Sequence, residues 1–190
     1  MYEKTKRTFD LVSSSLALIL LLPLLIVIAV IVKVSSKGPV IHWSDRQGLR
    51  NRRFKMAKFR TLDVDAPELA THLINDLEDL ETPAGKTLRR FSLDELPQLY
   101  NIFKGELSFV GPRPALFNQD DLIALRTENN VHLILPGLTG WAQICGRDSL
   151  SIREKVEHDV YYAEHRSIWF DVKIIWLTIF RVVTGDGIRN

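Results

Sequence analysis

The sequence predicts an α+β fold: a mainly helical domain with a small β-hairpin, preceded by an apolar helical segment that a proline breaks. Three observations predict it. Residues 11–32 carry no charge, and Pro23 stands in their middle. Residues 40–44 and 52–62 are strand-like runs on either side of a turn containing Gly48. Behind them, apolar residues recur at helical spacing in segments separated by glycine and proline. A chain of 190 residues suits one domain of ordinary size, about 100–200 residues.

The apolar run from Leu11 to Val32 would be about 33 Å long as a straight helix, enough to span a bilayer. It exceeds a signal-peptide core of about 7–15 residues, and no small-x-small cleavage site follows it. It lacks the polar face of a surface helix. Pro23 has no N–H to give and clashes with the carbonyl of Ile19, so a kink or break is expected. Each half would then be about 18 Å, too short for a hydrocarbon core of about 30 Å. Two arrangements follow: a kinked spanning helix, which lipid tolerates, or a re-entrant hairpin. Lys4, Lys6 and Arg7 precede the run, and Lys33, Lys37, Arg46, Arg50, Arg52, Arg53, Lys55, Lys58 and Arg60 follow it. Positive residues mark cytoplasmic flanks, so either arrangement puts the main domain inside. Asp10 lies one turn after Arg7, a spacing that suits an ion pair.

Residues 35–39 form a linker. Val40–Ser44 and Arg52–Leu62 read as a basic hairpin closed by residues 45–51. Leu69, Leu73, Leu77 and Leu80 give residues 67–80 a helical period. Residues 82–85 end it, and Ser92 opens another helix that stops near Gly105. Gly111, Pro112 and Pro114 exclude a regular helix before residue 114. Residues 117–127 and 151–165 read as helices, and 136–146 as a glycine-punctuated loop. Residues 168–183 are apolar and aromatic, which suits a core helix or one lying on a membrane surface.

Composition removes several function classes. The net charge is +2, which gives no general attraction to nucleic acid. Cys145 is the only cysteine, so there is no internal disulfide and no zinc cluster. His42, His72, His132, His158 and His165 show no metal-ligand spacing. Cys145 has no activating motif beside it and reads as a small buried residue or an incidental thiol.

Two constellations could carry chemistry. In Ser92-Leu93-Asp94-Glu95-Leu96-Pro97-Gln98, Ser-x-x-Glu is a capping box, and acids suit the first turn of a helix. That bland reading is the stronger one for the fragment alone. Pro97 conflicts with Ser92 as the cap and fits Asp94 as the cap. Either frame presents two neighbouring carboxylates, able to hold a divalent metal or attack phosphorus. Such a site needs cations to neutralise phosphate oxygens, and Lys58, Arg60, Arg89, Arg90 and Arg113 are on hand. The second constellation is Pro112-Arg113-Pro114, where two prolines stiffen the backbone around one guanidinium. Gly137-Leu138-Thr139-Gly140 matches no phosphate-binding fingerprint and reads as a turn.

Taken in order and spacing, these segments resemble the small monotopic phosphoglycosyl transferases of the bacterial sugar transferase family. The resemblance runs from Lys6-Arg7-Thr8-Phe9-Asp10 and the broken apolar segment through Phe54–Thr61. It is sharpest at Ser92–Leu99 and Lys104–Pro114, and it returns at Pro136–Gln143, Gly146-Arg147 and Asp159-Val160-Tyr161-Tyr162. It implies a re-entrant membrane hairpin over residues 1–35 and a catalytic domain with interfacial helices over 36–190. That domain would lie on the cytoplasmic face of the bacterial inner membrane. It implies transfer of a sugar 1-phosphate from a UDP-sugar to polyprenyl (undecaprenyl) phosphate, the first membrane step of glycoconjugate biosynthesis. Asp94 would be the nucleophile and a Mg²⁺ ligand, and Glu95 would complete the dyad. Arg113, flanked by Pro112 and Pro114, would hold the nucleotide-sugar, with Lys58, Arg89 and Arg147 on phosphates. A homodimer is left open. The family often has Ser before the membrane proline, where this chain has Leu22. It often has Asn where Cys145 stands and Arg where Leu135 stands.

Two other functions compete with this one. A membrane-bound hydrolase would use the same carboxylates with water as acceptor. A non-enzymatic anchor would use the basic hairpin on anionic lipid and leave the dyad to cap a helix.

Overall fold

The structure, a computed structural model, describes residues 2–66, 80–146 and 149–184. The expected helix over 67–80, apart from its last residue, and Arg147 lie outside the described residues.

The apolar segment is two helices, α1 (Tyr2–Leu20) and α2 (Leu22–Ser35), bent by 63° where they meet. The break falls where proline chemistry puts it. Pro23 is in the first turn of α2, where a missing N–H costs no helical bond. Among the described residues no single helix is long and apolar enough to cross a membrane, whereas the bent pair together passes that test. The inner face of α1 puts Ala17 and Leu18, with Leu21 at the break, against Met56, Leu99, Ile102 and Leu107. The inner face of α2 packs Ile28 and Val32 onto Phe59 and Leu88. Fully burying a side chain of this size contributes about 1.5–3 kcal/mol, so the hairpin is docked along both arms. Its outer face leaves Val12, Leu16, Ile19, Leu20, Ile26, Val27 and Val30 exposed.

The start of α1 is tied to the domain that follows α2. Lys6 Nζ donates to Asp171 Oδ2 at 2.8 Å. Arg7 donates to the carbonyls of Ile102 and Phe103, both at 2.7 Å, capping the end of a helix. Asp10 accepts the N–H of Phe109. Arg7 and Asp10 therefore do not make the ion pair their spacing suggested. Each spends its charge on the domain instead.

Strands β1 (Ile41–Gln47) and β2 (Arg53–Phe59) form the expected antiparallel hairpin, with Ser44 opposite Met56. The turn between them takes Arg50 and Asn51 to positive φ. Arg60, one of the cations considered for phosphate binding, is buried. It donates to the carbonyls of Ser36, Lys37 and Pro39, so it closes the linker after α2. Helix α3 (Gly85–Arg90) begins at Gly85, whose bare Cα lies hard against the Thr61 carbonyl. A 3₁₀ turn, Leu93–Glu95, leads into α4 (Gln98–Lys104).

A second pairing was not expected. β3 (Ser108–Val110) runs parallel to β4 (Gly137–Thr139), in residues read as a turn. The glycines there serve close approach. A side chain at Gly137 or Gly140 would strike the backbone of Gly111. Helices α5 (Asp120–Glu128), α6 (Trp141–Cys145), α7 (Ile152–His165) and α8 (Ile168–Thr184) complete the fold. Val110, Ile134, Ile144, Tyr162 and Ile174 form a core shared by α6, α7 and α8, and Leu122 of α5 packs with Ala115 and Val156. Cys145 is exposed rather than buried. Along α8, Ile174 faces the core while Trp169, Trp176, Ile179 and Phe180 are exposed.

Candidate active site

Ser92 sits at φ 53°, ψ 24° and makes no side-chain cap hydrogen bond. The capping box expected at Ser92 and Glu95 is therefore absent. Neither proposed cap frame holds either: Pro97 is itself the residue before α4, where its missing N–H leaves no helical bond unmade. Leu93 and Leu96 pack toward Ile28, Val32, Phe59 and Leu88, which pins the turn from below. Asp94 and Glu95, between those two leucines, are left facing β2.

On β2, Ala57 and Phe59 are buried, and Lys58 between them points to the other face. Its ammonium donates to Glu95 Oε1 at 2.8 Å and lies 3.8 Å from Asp94 Oδ2. From the opposite side Arg113 Nη2 donates to the same Glu95 oxygen at 2.9 Å. Arg89 lies in α3 and pairs with Glu81 at 3.4 Å, and its charge also acts on Asp94. Lys58, Arg89 and Arg113, named from sequence, thus surround Asp94 and Glu95. Pro112 and Pro114 flank Arg113 as read.

The two carboxylates have opposite electrostatic environments. Burial pushes the Asp94 carboxyl upward, Lys58 opposes that, and the neighbouring Glu95 charge adds to it. The net direction is up. Burial also acts upward on Glu95, but Lys58 and Arg113 outweigh it, so Glu95 is held well below the usual carboxylate range. Glu95 is a fixed anion clamped by two cations. Asp94, 7% exposed, makes a looser contact. Among the described residues no group of three or more His, Cys, Asp or Glu side chains could enclose a metal. A cation here would rest on one or two carboxylates and on phosphate oxygens of a ligand, which is how Mg²⁺ is ordinarily bound.

Sequence reading missed the residues that hold this arrangement. Asn101 is fully buried. Its Oδ1 accepts the Ala57 N–H at 3.0 Å, and its Nδ2 donates to the Lys55 carbonyl and to Glu106. Asn101 thereby locks α4 to the strand that carries Lys58. The only advance signal was a polar residue between the apolar Leu99 and Ile102. Arg126 and Asp159, a buried ion pair between α5 and α7, were likewise missed.

The bacterial sugar transferase family is matched over residues 1–185. The chain is 35% identical to the UDP-N-acetylgalactosamine-undecaprenyl-phosphate N-acetylgalactosaminephosphotransferase of Aeromonas hydrophila, over 100% of this chain and 46% of that protein. It is 42% identical to the undecaprenyl-phosphate glucose phosphotransferase of Komagataeibacter xylinus, over 94% of this chain and 36% of that one. It is 39% identical to an uncharacterized sugar transferase of Bacillus subtilis, over 97% of this chain and 90% of that one. The chain thus spans less than half the length of the first two relatives.

Proposed function

The chain belongs to the bacterial sugar transferase family, and on that premise we propose that it transfers a sugar 1-phosphate from a UDP-sugar to polyprenyl phosphate. The observation that carries this reading is the division of labour in the dyad. Glu95 is immobilised between Lys58 at 2.8 Å and Arg113 at 2.9 Å, while Asp94, among the described residues, has only a 3.8 Å ion pair to Lys58. Asp94 is the carboxylate left available to react.

In the first step an Asp94 oxygen attacks the β-phosphorus of the donor. The bond from that phosphorus to the oxygen bridging the α-phosphate breaks, and UMP leaves with the electron pair. The sugar phosphate stays on Asp94 as an acyl phosphate. In the second step an oxygen of polyprenyl phosphate attacks the same phosphorus. The Asp94 carboxylate leaves, giving a polyprenyl-diphosphate-sugar and free enzyme. Lys58, Arg89 and Arg113 offset the negative charge that a carboxylate meets on approaching a phosphoryl group. Asp94 and the donor phosphates would hold Mg²⁺, which supplies further charge neutralisation when bound.

The acceptor is a lipid, which calls for a site at a membrane surface. The ties from Lys6, Arg7 and Asp10 to the domain favour a re-entrant hairpin, because they keep residues before and after the apolar run on one side. The exposed aromatic face of α8 would lie at the same interface. The positive flanks favour the cytoplasm for that side, and a polyprenyl phosphate acceptor would call for the inner membrane of a bacterium.

The test is UMP release from a panel of UDP-sugars, with and without polyprenyl phosphate and Mg²⁺. Multiple turnovers that require both lipid and metal are expected. Sustained release with water as acceptor would point to a hydrolase. No release from any donor would point to an anchor whose dyad is structural.

A further inference from the structure

The loop that carries Arg113 is fastened along its backbone. Tyr162 Oη donates to the Val110 carbonyl, the Gly137 N–H to Pro112, and the Gln47 N–H to Ala115. The anchor on Arg113 itself differs in kind. Arg126 Nη1 donates to the Arg113 carbonyl at 2.7 Å, while its Nε and Nη2 donate to Asp159 Oδ2 at 2.9 and 2.6 Å. Asp159 is 2% exposed and Arg126 is 9% exposed. A buried ion pair is a costly way to join α5 to α7, since apolar residues would serve packing as well. A guanidinium can do what apolar residues cannot: its planar fork binds a carboxylate and a carbonyl at once, fixing the carbonyl relative to both helices.

We propose that Arg126, braced by Asp159, is a positioning residue that sets the backbone of Arg113 so that its guanidinium meets Glu95 and the donor phosphates. The chain of contacts is continuous: Asp159 holds Arg126, Arg126 holds the Arg113 carbonyl, and the Arg113 guanidinium holds Glu95 at 2.9 Å. With the carbonyl released, the side chain would leave its place facing the dyad by fractions of an ångström, enough to weaken oriented contacts. The inference rests on reading Arg113 as a donor-binding residue.

The test is a double-mutant cycle on the full chain in nanodiscs, with UDP-sugar turnover as the readout. Arg126→Lys keeps a cation beside Asp159 but cannot bridge to the Arg113 carbonyl as well. It is expected to lower kcat/KM at least ten-fold, mainly through KM, with little change in Tm. In an Arg113→Ala background the same substitution is expected to change turnover less than two-fold. An equal loss in both backgrounds would assign Arg126 to general scaffolding and overturn the proposal, as would full activity of Arg126→Lys. Normal turnover by Arg113→Ala would instead remove the reading on which the inference rests. Hydrogen exchange of the free protein gives a readout independent of activity. Faster exchange confined to residues 110–117 is expected in Arg126→Lys, and faster exchange throughout α5 and α7 would count against positioning.

Discussion

Lys58→Met would raise the pH at which Asp94 becomes reactive. The Lys58 ammonium lies 3.8 Å from Asp94 Oδ2 and favours the ionised form. Two unit charges at that separation interact by about 4 kcal/mol at an effective dielectric constant of about 20. The Lys58 side chain is 17% exposed, so water and salt screen part of that interaction. The acid limb of kcat/KM reports the free enzyme, so UMP release measured between pH 5 and pH 9 is the assay. Lys58→Met should move that limb to higher pH, with a loss at the optimum of about thirty-fold from one charge-assisted contact of about 2 kcal/mol. Glu95→Gln should move it to lower pH, because it removes the negative neighbour and frees Lys58 for Asp94. Limbs that stay put in both variants, or shifts of the opposite sign, would show that Asp94 does not govern the acid limb.

Four further outcomes follow from particular residues. Asp94→Asn should abolish turnover while leaving Tm unchanged or higher. The folded-state carboxyl is raised above its unfolded value, so its ionised form opposes folding at neutral pH, and a neutral amide removes that cost; a Tm several degrees lower would contradict this sign. Ser151→Ala should cost about 1 kcal/mol, because Ser151 and Glu154 form a capping box at the start of α7. Ser92→Gly should be neutral or stabilising in the same unfolding assay, because residue 92 holds positive φ without capping anything. Thr5→Cys, made with Cys145→Ser because Cys145 is itself exposed, should be labelled from the side that carries the catalytic domain. Labelling should fall when Pro23→Ala is combined with Lys6→Ala and Arg7→Ala, and unchanged labelling would argue against these residues as topology determinants.

Those two serines show how far local pattern reaches. Both begin Ser-x-x-Glu, and only Ser151 caps, because its Glu154 folds back on the helix start. Glu95 instead has Lys58 from β2 and Arg113 from a loop, partners distant in sequence that no local rule supplies. The proline break, the basic hairpin and the amphipathic α8 were legible because each rests on composition over a short window. The parallel β3–β4 pair was not, since three-residue strands lack a period and glycines read as turns until a close neighbour is known. Arg60 was misread as a candidate phosphate ligand for the same reason: its three carbonyl partners lie more than twenty residues away. The dyad residues were found through the family resemblance, since the fragment alone reads more readily as a capping box. Asn101 and Arg126 were passed over because a single polar residue in a helix carries no such signature.

The most direct measurement of the central claim is the intact mass of the protein after exposure to a UDP-sugar and Mg²⁺ without lipid acceptor. One sugar phosphate gained per chain, matched by one equivalent of UMP, lost in Asp94→Asn and discharged by polyprenyl phosphate, is the predicted result. Full turnover in the presence of lipid with no adduct in its absence, and UMP appearing only when lipid is added, would contradict attack by Asp94 and favour direct transfer.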